Sequence, residues 1–281
     1  MNLFVFGLGY TALRFVDMYA DRFETITGTV RSNEKKDTLL RQGYDALVFD
    51  QDAVDPDVVA RAQVADLLLV SIPAPSGVDP VLSAFPKLIA GSRSRIVYLS
   101  TIGVYADHSG AWIDETASLI TSNDRRGARI RAEQAWMTAA GERLRILRLA
   151  GIYGPDRNAL QRLRNGTARR IVKEGQVTNR IHVDDAARAI AAAFEYPHAG
   201  TWNVCDDEPA PPQDVITCGA QLMGVAPPPD EDFATADMTP MARSFYATSN
   251  RVRNAKLKSD LGVALAYPTY RDGLKALYAM N

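Results

Sequence analysis

The stretch Leu3-Phe4-Val5-Phe6-Gly7-Leu8-Gly9-Tyr10-Thr11-Ala12 decides how the rest of this chain is interpreted. Its four leading apolar residues predict a short buried strand, and a helical pattern begins after the second glycine. Gly7 permits a tight turn, Gly9 lets the backbone approach a ligand closely, and Ala12 is small enough for the helix to pack on the strand. The first N–H groups of the helix, around Tyr10 and Thr11, favour an anion. The stretch therefore predicts a dinucleotide-binding turn, and the alternative is a tight turn that binds nothing.

Strand-like and helix-like segments alternate over the first two hundred residues. The predicted strands are Leu3–Phe6, Thr25–Val30, Ala46–Phe49, Asp66–Ser71, Arg95–Ser100, Leu144–Arg148 and Thr201–Val204. The predicted helices include Glu34–Gln42, Asp55–Gln63, Pro80–Ile89, Asp124–Ala140 and Asp184–Phe194. This alternation predicts an α/β fold with a Rossmann-type, doubly wound parallel sheet whose ligands bind at the carboxyl ends of the strands.

The pattern changes after Val204, where prolines divide the chain into shorter pieces and predict a small C-terminal substrate lobe. We expect residues 1–150 to form the dinucleotide-binding domain and residues 180–205 to complete it. Residues 151–179 and 206–281 then form mainly the substrate-binding lobe. A chain of 281 residues is long enough to bury such a core.

The composition is that of an ordinary globular protein, with 47% hydrophobic and 23% charged residues. A net charge of −1 argues against a nucleic-acid or membrane partner, so a small molecule is the expected ligand. The N-terminal apolar run is too short for a signal peptide, and we expect a cytoplasmic protein. Cys205 and Cys218 do not form a disulfide framework or a metal site.

The end of the second predicted strand bears on the choice of cofactor. In this fold an acidic residue there binds the ribose hydroxyls of NAD, whereas a basic residue accommodates the 2′-phosphate of NADP. This chain has Arg31 and Ser32 at that point and no acidic residue, which favours NADP over NAD. The alternative for Arg31 is a solvated loop residue. Asp50, after the third strand, is placed to meet the adenine, and the alternative is that it caps a turn.

Four further motifs follow the glycine-rich turn, and they are Tyr98-Leu99-Ser100-Thr101-Ile102-Gly103-Val104-Tyr105, Arg148-Leu149-Ala150-Gly151-Ile152-Tyr153-Gly154-Pro155, Arg180-Ile181-His182-Val183-Asp184-Asp185 and Trp202-Asn203-Val204. With them the sequence resembles, over nearly its whole length, the extended short-chain dehydrogenase/reductases of the NAD(P)-dependent epimerase/dehydratase group. The resemblance implies a Rossmann domain with a small substrate lobe. It also implies that Ser71 and Pro73 lie beside the cofactor, and that two chains dimerise through the helices predicted at Pro80–Ile89 and Asp124–Ala140.

The family's catalytic residues are a Ser or Thr and a Tyr-x-x-x-Lys pair, and this chain departs from the pair. Thr101 occupies the position of the catalytic hydroxyl, and the alternative is that it bonds its own backbone. The family spacing places Arg125 at the tyrosine and Arg129 at the lysine. Because arginine stays protonated at neutral pH, neither can act as a base. The chain therefore resembles an atypical member, and Tyr105 is the nearest remaining phenol for catalysis.

Four arginines are candidate substrate ligands. Arg125 and Arg129 share one stripe of the predicted helix, which either faces solvent with an Arg129–Glu133 pair or clamps an anionic substrate. Arg180 stands where sugar-nucleotide members of the family contact the substrate diphosphate, and Arg243 is the candidate for a second arginine by approximate spacing. Two guanidinium groups that converge on one phosphate would form a strong anchor.

The sequence thus supports two hypotheses. The first is an NADP-dependent oxidoreductase or epimerase/dehydratase that acts on a hydroxyl or carbonyl group of a nucleotide-linked or otherwise anionic substrate. Such an enzyme would work without the Tyr-x-x-x-Lys pair. The second is a non-catalytic NADP(H)-binding sensor or regulatory protein. A pocket lined by Thr101, Tyr105 and Arg180 favours the enzyme, and the loss of the pair favours the sensor.

Overall fold

The computed structural model describes residues 1–50, 53–74, 77–120 and 125–280, and the side chain of Arg125 lies outside this described part. The strands are β1 (Asn2–Phe6), β2 (Thr25–Val30), β3 (Asp45–Val48), β4 (Leu67–Val70), β5 (Arg95–Thr101), β6 (Trp112–Ile113), β7 (Leu144–Leu149), β8 (Gly151–Tyr153), β9 (Arg170–Val172), β10 (Arg180–His182), β11 (Gly200–Val204), β12 (Asp230–Asp232) and β13 (Arg251–Val252). Seven of them form one parallel sheet in the order β3-β2-β1-β4-β5-β7-β11. The strand order reverses between β1 and β4, which is the point where ligands bind in such sheets.

The α-helices of the described residues are α1 (Tyr10–Tyr19), α2 (Asn33–Arg41), α3 (Asp57–Gln63), α4 (Pro80–Ala84), α5 (Pro86–Gly91), α6 (Arg125–Ala140), α7 (Ala159–Arg164), α8 (Val183–Glu195), α9 (Pro212–Met223), α10 (Pro240–Ser244), α11 (Ala255–Leu261) and α12 (Tyr270–Ala279). Short 3₁₀ segments cover Ala20–Arg22, Ile102–Val104 and Gly141–Arg143. The predicted helix Pro80–Ile89 is two helices, because Pro86 begins a new one and cannot continue the first. Asp124, predicted as the start of α6, lies outside the described residues.

The Rossmann-type, doubly wound sheet predicted from the sequence is confirmed. Each of the seven predicted strands corresponds to a strand of the central sheet. Alternate residues of β1 face opposite sides, so Leu3 and Val5 pack in one apolar cluster while Phe4 and Phe6 pack in another. A strand buried on both faces reads as a continuous apolar run, which is why the sequence signal of β1 was strong.

A third apolar cluster lies in the later part of the chain. It includes Tyr153 and Leu160 together with residues of α9 and α12, such as Ile216 and Leu274. Parallel strand pairs β8–β10 and β9–β12 accompany it. However, helix α11 packs against β11 and α8 of the main core. The division into two lobes at the residue limits given above therefore stays a prediction.

Three observations concern membrane-spanning helices, metal-ligand clusters and the two cysteines. Within the described ranges, no helix is long and apolar enough to cross a membrane. Among the same residues, no cluster of His, Cys, Asp and Glu could hold a metal ion. Cys205 and Cys218 are buried free thiols. The cytoplasmic location and the homodimer stay predictions.

Candidate functional site

The glycine-rich turn lies at the carboxyl end of β1, beside the switch point of the sheet. Gly7 has a φ of +99°, a conformation that L residues rarely adopt, and a Cβ there would lie 2.9 Å from Cγ1 of Ile72. Its N–H donates to Oγ1 of Thr29 at 3.0 Å, which holds the turn against β2. By contrast, a Cβ on Gly9 would meet no atom within 4 Å. Protein atoms therefore fill the space beside Gly7, whereas the space beside Gly9 is open.

Helix α1 begins directly after this open position. Gly9 is its N-cap residue, and no side chain caps the first turn. The backbone N–H groups of Tyr10, Thr11 and Ala12 therefore have the arrangement that binds anions at helix N-termini. Ala12 is fully buried against the sheet, where a larger side chain would push the helix away. The geometry fits a dinucleotide diphosphate on chemical grounds, and these residues remain proposed cofactor ligands.

Arg31 and Ser32 follow β2, and only one of their side chains is free of a structural hydrogen bond among the described residues. Arg31 is exposed, whereas the Ser32 hydroxyl accepts a hydrogen bond from the N–H of Lys35 at 3.3 Å and caps α2. Ser32 thus has a structural role in this structure. Asp50 is half-buried after β3, and its backbone N–H donates to the carbonyl of Ala53 at 2.7 Å.

The end of β4 lies next to the glycine-rich turn. The N–H of Ser71 donates to the carbonyl of Phe6 at 2.8 Å, so the pairing of β4 with β1 continues to this point. Pro73 follows as an exposed residue. Both therefore lie at the carboxyl ends of the strands, and their contact with a cofactor stays a prediction.

Thr101 is the last residue of β5 and is half-buried. Its Oγ1 accepts a hydrogen bond from the N–H of Gly103 at 3.1 Å. This is the local backbone bond that we gave as the alternative to a catalytic role. The bond uses only a lone pair of the hydroxyl, however, so its hydrogen remains available to a ligand oxygen.

Tyr105 does not reach an open cleft. Its side chain is fully buried, and its hydroxyl donates to Oδ1 of Asn203 at 2.7 Å and accepts from Nη1 of Arg148 at 3.0 Å. Burial raises the pKa of this phenol. A proton donor must reach the reacting group, so the expectation that Tyr105 is catalytic does not fit its enclosed position.

The partners of Tyr105 belong to a buried polar network that sequence reasoning missed. Arg148 forms a forked ion pair with Glu133, with Nη2 to Oε2 at 2.8 Å and Nε to Oε1 at 3.2 Å. Ser100 donates to the same carboxylate. The network links β5, α6, β7 and β11, and a buried pair of this kind requires both members. The available signal was Arg148 itself, a charged residue within an apolar strand.

The contacts of Arg129 match neither the ion pair with Glu133 nor the substrate clamp that the sequence suggested. Its Nη2 donates to the carbonyl of Leu99 at 2.7 Å, and its guanidinium carbon lies 5.5 Å from the ring centre of Tyr98. The predicted Arg129–Glu133 pair is absent from these described residues, because Glu133 binds Arg148 instead. Arg129 thus packs against β5 and donates a hydrogen bond to it. The predicted substrate contact of Arg125 concerns a side chain outside the described part of the chain.

Arg180 and Arg243 bond backbone carbonyls of their own surroundings. Arg180 donates to the carbonyls of Thr178 and Ala210 at 3.1–3.3 Å and stacks on Tyr270. The guanidinium of Arg243 has a similar environment, formed by the carbonyls of Phe233 and Ala236 at 3.2 and 2.9 Å. Both guanidinium groups thus donate to backbone carbonyls in this structure, and their convergence on one substrate phosphate stays a prediction.

The two aspartates of the Ile-His-Val-Asp-Asp motif have structural partners in other segments of the chain. Asp184 accepts a forked pair of bonds from Arg14 of α1, at 2.6 and 3.1 Å. Asp185 accepts from the N–H groups of Ala266 and Tyr267 at 2.8 and 2.9 Å. His182 is the N-cap of α8. The motif therefore fastens α1 and the C-terminal segment to α8.

Solved structures share this fold over 99% of the chain. A functionally unknown conserved protein from Silicibacter pomeroyi is 44% identical, with a TM-score of 0.88 and 98% of that chain covered. A protein from Methylobacillus flagellatus, classed as an NAD-dependent epimerase/dehydratase, is 25% identical, with a TM-score of 0.75 and 98% covered. The human epimerase family protein SDR39U1, whose structure contains NADPH, is 15% identical, with a TM-score of 0.75 and 99% covered.

Curated sequences give a consistent result. Protein YeeZ of Escherichia coli strain K12 is 25% identical over 239 residues, which cover 80% of this chain and 84% of YeeZ. The 3-diazoavenalumate denitrifying reductase of a Streptomyces species is 33% identical over 142 residues, which cover 46% of this chain and 45% of the reductase. No family model matches the sequence.

The fold and the glycine-rich turn at its switch point define a Rossmann-type, NAD(P)-binding class of protein. The similar structures, among them the 25% identical NAD-dependent epimerase/dehydratase, support the resemblance to the extended short-chain dehydrogenase/reductase superfamily that the sequence motifs indicate. The relatives support a nicotinamide dinucleotide cofactor and a general oxidoreductase or epimerase function.

Proposed function

We propose that this protein is an NADP(H)-dependent oxidoreductase that acts on a carbonyl or hydroxyl group of a small molecule. One observation carries the proposal. Strands β1, β4 and β5 are neighbours and parallel, so Gly7, Ser71 and Thr101 stand at the same edge of the sheet. The glycine-rich turn and a hydroxyl with an available hydrogen thus lie at the ends of two strands that are separated by β4 alone.

The residues that would hold the cofactor are those around the open turn. The N–H groups of Tyr10, Thr11 and Ala12 would receive the diphosphate, and the absence of a side chain at Gly9 leaves space for it. When bound, the nicotinamide supplies or accepts a hydride. Arg31 would pair with the 2′-phosphate, since it is exposed at the end of β2 and the structure places no carboxylate within ion-pair distance of it among the described residues.

Thr101 would orient the substrate in this proposal. Its hydroxyl donates its hydrogen to the substrate oxygen, while Oγ1 of Thr101 keeps the hydrogen bond that it accepts from the N–H of Gly103. At the family's relay positions, Arg129 is committed to Leu99, and arginine keeps its proton in any case. The substrate oxygen therefore exchanges its proton with solvent. Because general acid–base assistance contributes about 10²–10⁴ in rate, turnover should be slow compared with relatives that use it.

The experiment begins with calorimetric titration of the purified protein with NADPH and NADH. NADPH consumption is then followed with a panel of aldehydes and ketones. Thr101→Val should lower kcat/KM by about 10-fold or more without changing the Kd for NADPH, the scale of a lost hydrogen bond to the reacting oxygen. Thr138→Val, at an exposed position of α6, is the matched control and should leave both unchanged. Failure to bind either dinucleotide would overturn the proposal.

The second candidate is a non-catalytic NADP(H) sensor, and a specific observation favours it. Arg129 and Tyr105 have structural partners, so neither can supply the proton transfer that the family uses. A sensor predicts micromolar or tighter binding of NADPH with no consumption in the presence of any panel substrate. It also predicts that Thr101→Val has no effect on any measured property except stability.

A further inference from the structure

The turn that follows β8 touches the first residue of α1. The hydroxyl of Tyr10 donates to the carbonyl of Pro155 at 2.9 Å. Gly154 makes the approach possible, because a Cβ there would lie 2.6 Å from the Tyr10 hydroxyl oxygen. Burial raises the pKa of Tyr10 to about 12, so the hydroxyl keeps its proton and remains a donor. A segment 145 residues away in sequence thus lies beside the N-terminus of α1.

This turn has a well-defined backbone. Gly154 and Arg157 exchange two N–H to carbonyl bonds, each of 3.2 Å. Between them, Asp156 has a φ of +59°, an uncommon left-handed conformation for a residue other than glycine. The side chain of Asn158 donates to the carbonyl of Gly154 at 2.8 Å and caps α7. These hydrogen bonds hold the backbone on both sides of Arg157 and thereby orient its side chain.

Arg157 extends over the face of Tyr10. Its guanidinium carbon lies 5.5 Å from the ring centre, within the range of a cation–π contact. The side chain is exposed, and no carboxylate of the described residues lies within ion-pair distance of it. Asp156 and Asp184 are the acids near Tyr10, but Asp184 is already paired with Arg14. A positive charge with no ion-pair partner among the described residues thus lies over the ring of Tyr10, the first residue of α1.

We infer that Arg157 is a ligand of the cofactor diphosphate, placed on Tyr10 as a platform and opposite the N–H groups of α1. This inference rests on the proposed dinucleotide site and adds to it a contact from the chain segment beyond residue 150. A guanidinium presents two parallel N–H groups to a phosphate, and stacking on Tyr10 holds it ready. Binding of the diphosphate would therefore join β8 and its turn to the sheet edge.

The test compares Arg157→Ala, Arg157→Lys and Arg93→Ala by calorimetry with NADPH, without any substrate. Arg93 is an exposed arginine that precedes β5, at the opposite edge of the sheet, so it controls for the change in net charge. Arg157→Ala should raise the Kd for NADPH by about 10-fold or more, Arg157→Lys should raise it less, and Arg93→Ala should leave it unchanged. The dependence of affinity on salt should also weaken in Arg157→Ala.

A second pair of measurements localises the effect. Adenosine 2′-monophosphate lacks the diphosphate, so Arg157→Ala should bind it like the wild type, whereas ADP-ribose should show the loss. Tyr10→Ala should weaken NADPH binding, and adding Arg157→Ala to it should cost less than in the wild type. If the wild type binds NADPH and Arg157→Ala binds it within twofold, this inference is wrong and the dinucleotide site stands. If the wild type binds no dinucleotide, the proposed function itself fails.

Discussion

The guanidinium of Arg129 donates a hydrogen bond from Nη2 to the carbonyl oxygen of Leu99, at 2.7 Å. The resemblance to the family assigns the position of Arg129 to a catalytic lysine. Here the side chain instead supports β5 two residues before Thr101, and it packs on the ring of Tyr98. A position associated with proton transfer is thus occupied by a residue that stabilises the strand carrying the candidate hydroxyl.

Arg129→Ala should lower the free energy of unfolding by about 1–3 kcal/mol, because the Leu99 carbonyl loses a charged donor. The Kd for NADPH should stay within twofold of the wild type. Guanidinium chloride unfolding and calorimetry check both values, with Gln134→Ala, exposed on the same helix, as the control. A large loss of NADPH affinity with unchanged stability would instead place Arg129 in the cofactor site.

Tyr105→Phe should be a stability variant rather than a catalytic one. The change leaves Oδ1 of Asn203 without its donor and Nη1 of Arg148 without its acceptor, both in a buried network. We expect a loss of about 1–3 kcal/mol in the free energy of unfolding and a kcat within a few-fold of the wild type. Tyr278→Phe, exposed on α12, is the control. Abolished turnover with wild-type stability would restore the catalytic role of Tyr105.

Asp206 should make the free energy of unfolding depend on pH. Its side chain is buried, Oδ2 has no hydrogen-bond partner among the described residues, and burial raises its pKa to about 8, against the opposing effect of Arg180. An aspartate in the unfolded chain has a pKa near ~3.9. The folded state therefore holds a proton that the unfolded state releases, and stability falls as pH rises from about 4 to about 8.

Asp206→Asn should remove much of this slope, which can reach about 1 kcal/mol per pH unit. The variant should unfold at higher denaturant concentration than the wild type at pH 9 and at nearly the same concentration at pH 4. Asp207→Asn is a control at the neighbouring, more exposed position. Parallel pH profiles for the wild type and Asp206→Asn would show that Asp206 is ionised in the folded protein throughout.

Arg31 should determine the preference between the two dinucleotides. Arg31→Asp replaces a positive charge by a negative one, so the free energy of NADPH binding should weaken by about 1–3 kcal/mol while NADH binding is unchanged or improves. Calorimetric titrations with both nucleotides measure the difference. Ser32→Ala should mainly destabilise the start of α2, whose N–H at Lys35 it caps. Tighter binding of NADH than NADPH by the wild type would contradict the NADP assignment.

The sequence by itself determined the sheet and the glycine-rich turn. Apolar runs such as Leu3–Phe6 carry their own signal, because a strand buried on both faces requires apolar residues at every position. The turn is equally local, since the positive φ of Gly7 and the small Ala12 are requirements of adjacent backbone. The family motifs then placed the ends of β4 and β5 beside this turn.

Only the tertiary structure decided what the polar side chains do. Tyr105 bonds Asn203, which is 98 residues away, and Glu133 selects Arg148 rather than Arg129, the partner that helical spacing suggests. Likewise the turn at Pro155, 145 residues from Tyr10 in sequence, brings Arg157 onto the Tyr10 ring. Period and spacing along a chain specify which residues form a strand or helix. The partner of a buried charge depends instead on which distant segments meet, and the cost of leaving it unpaired selects among them.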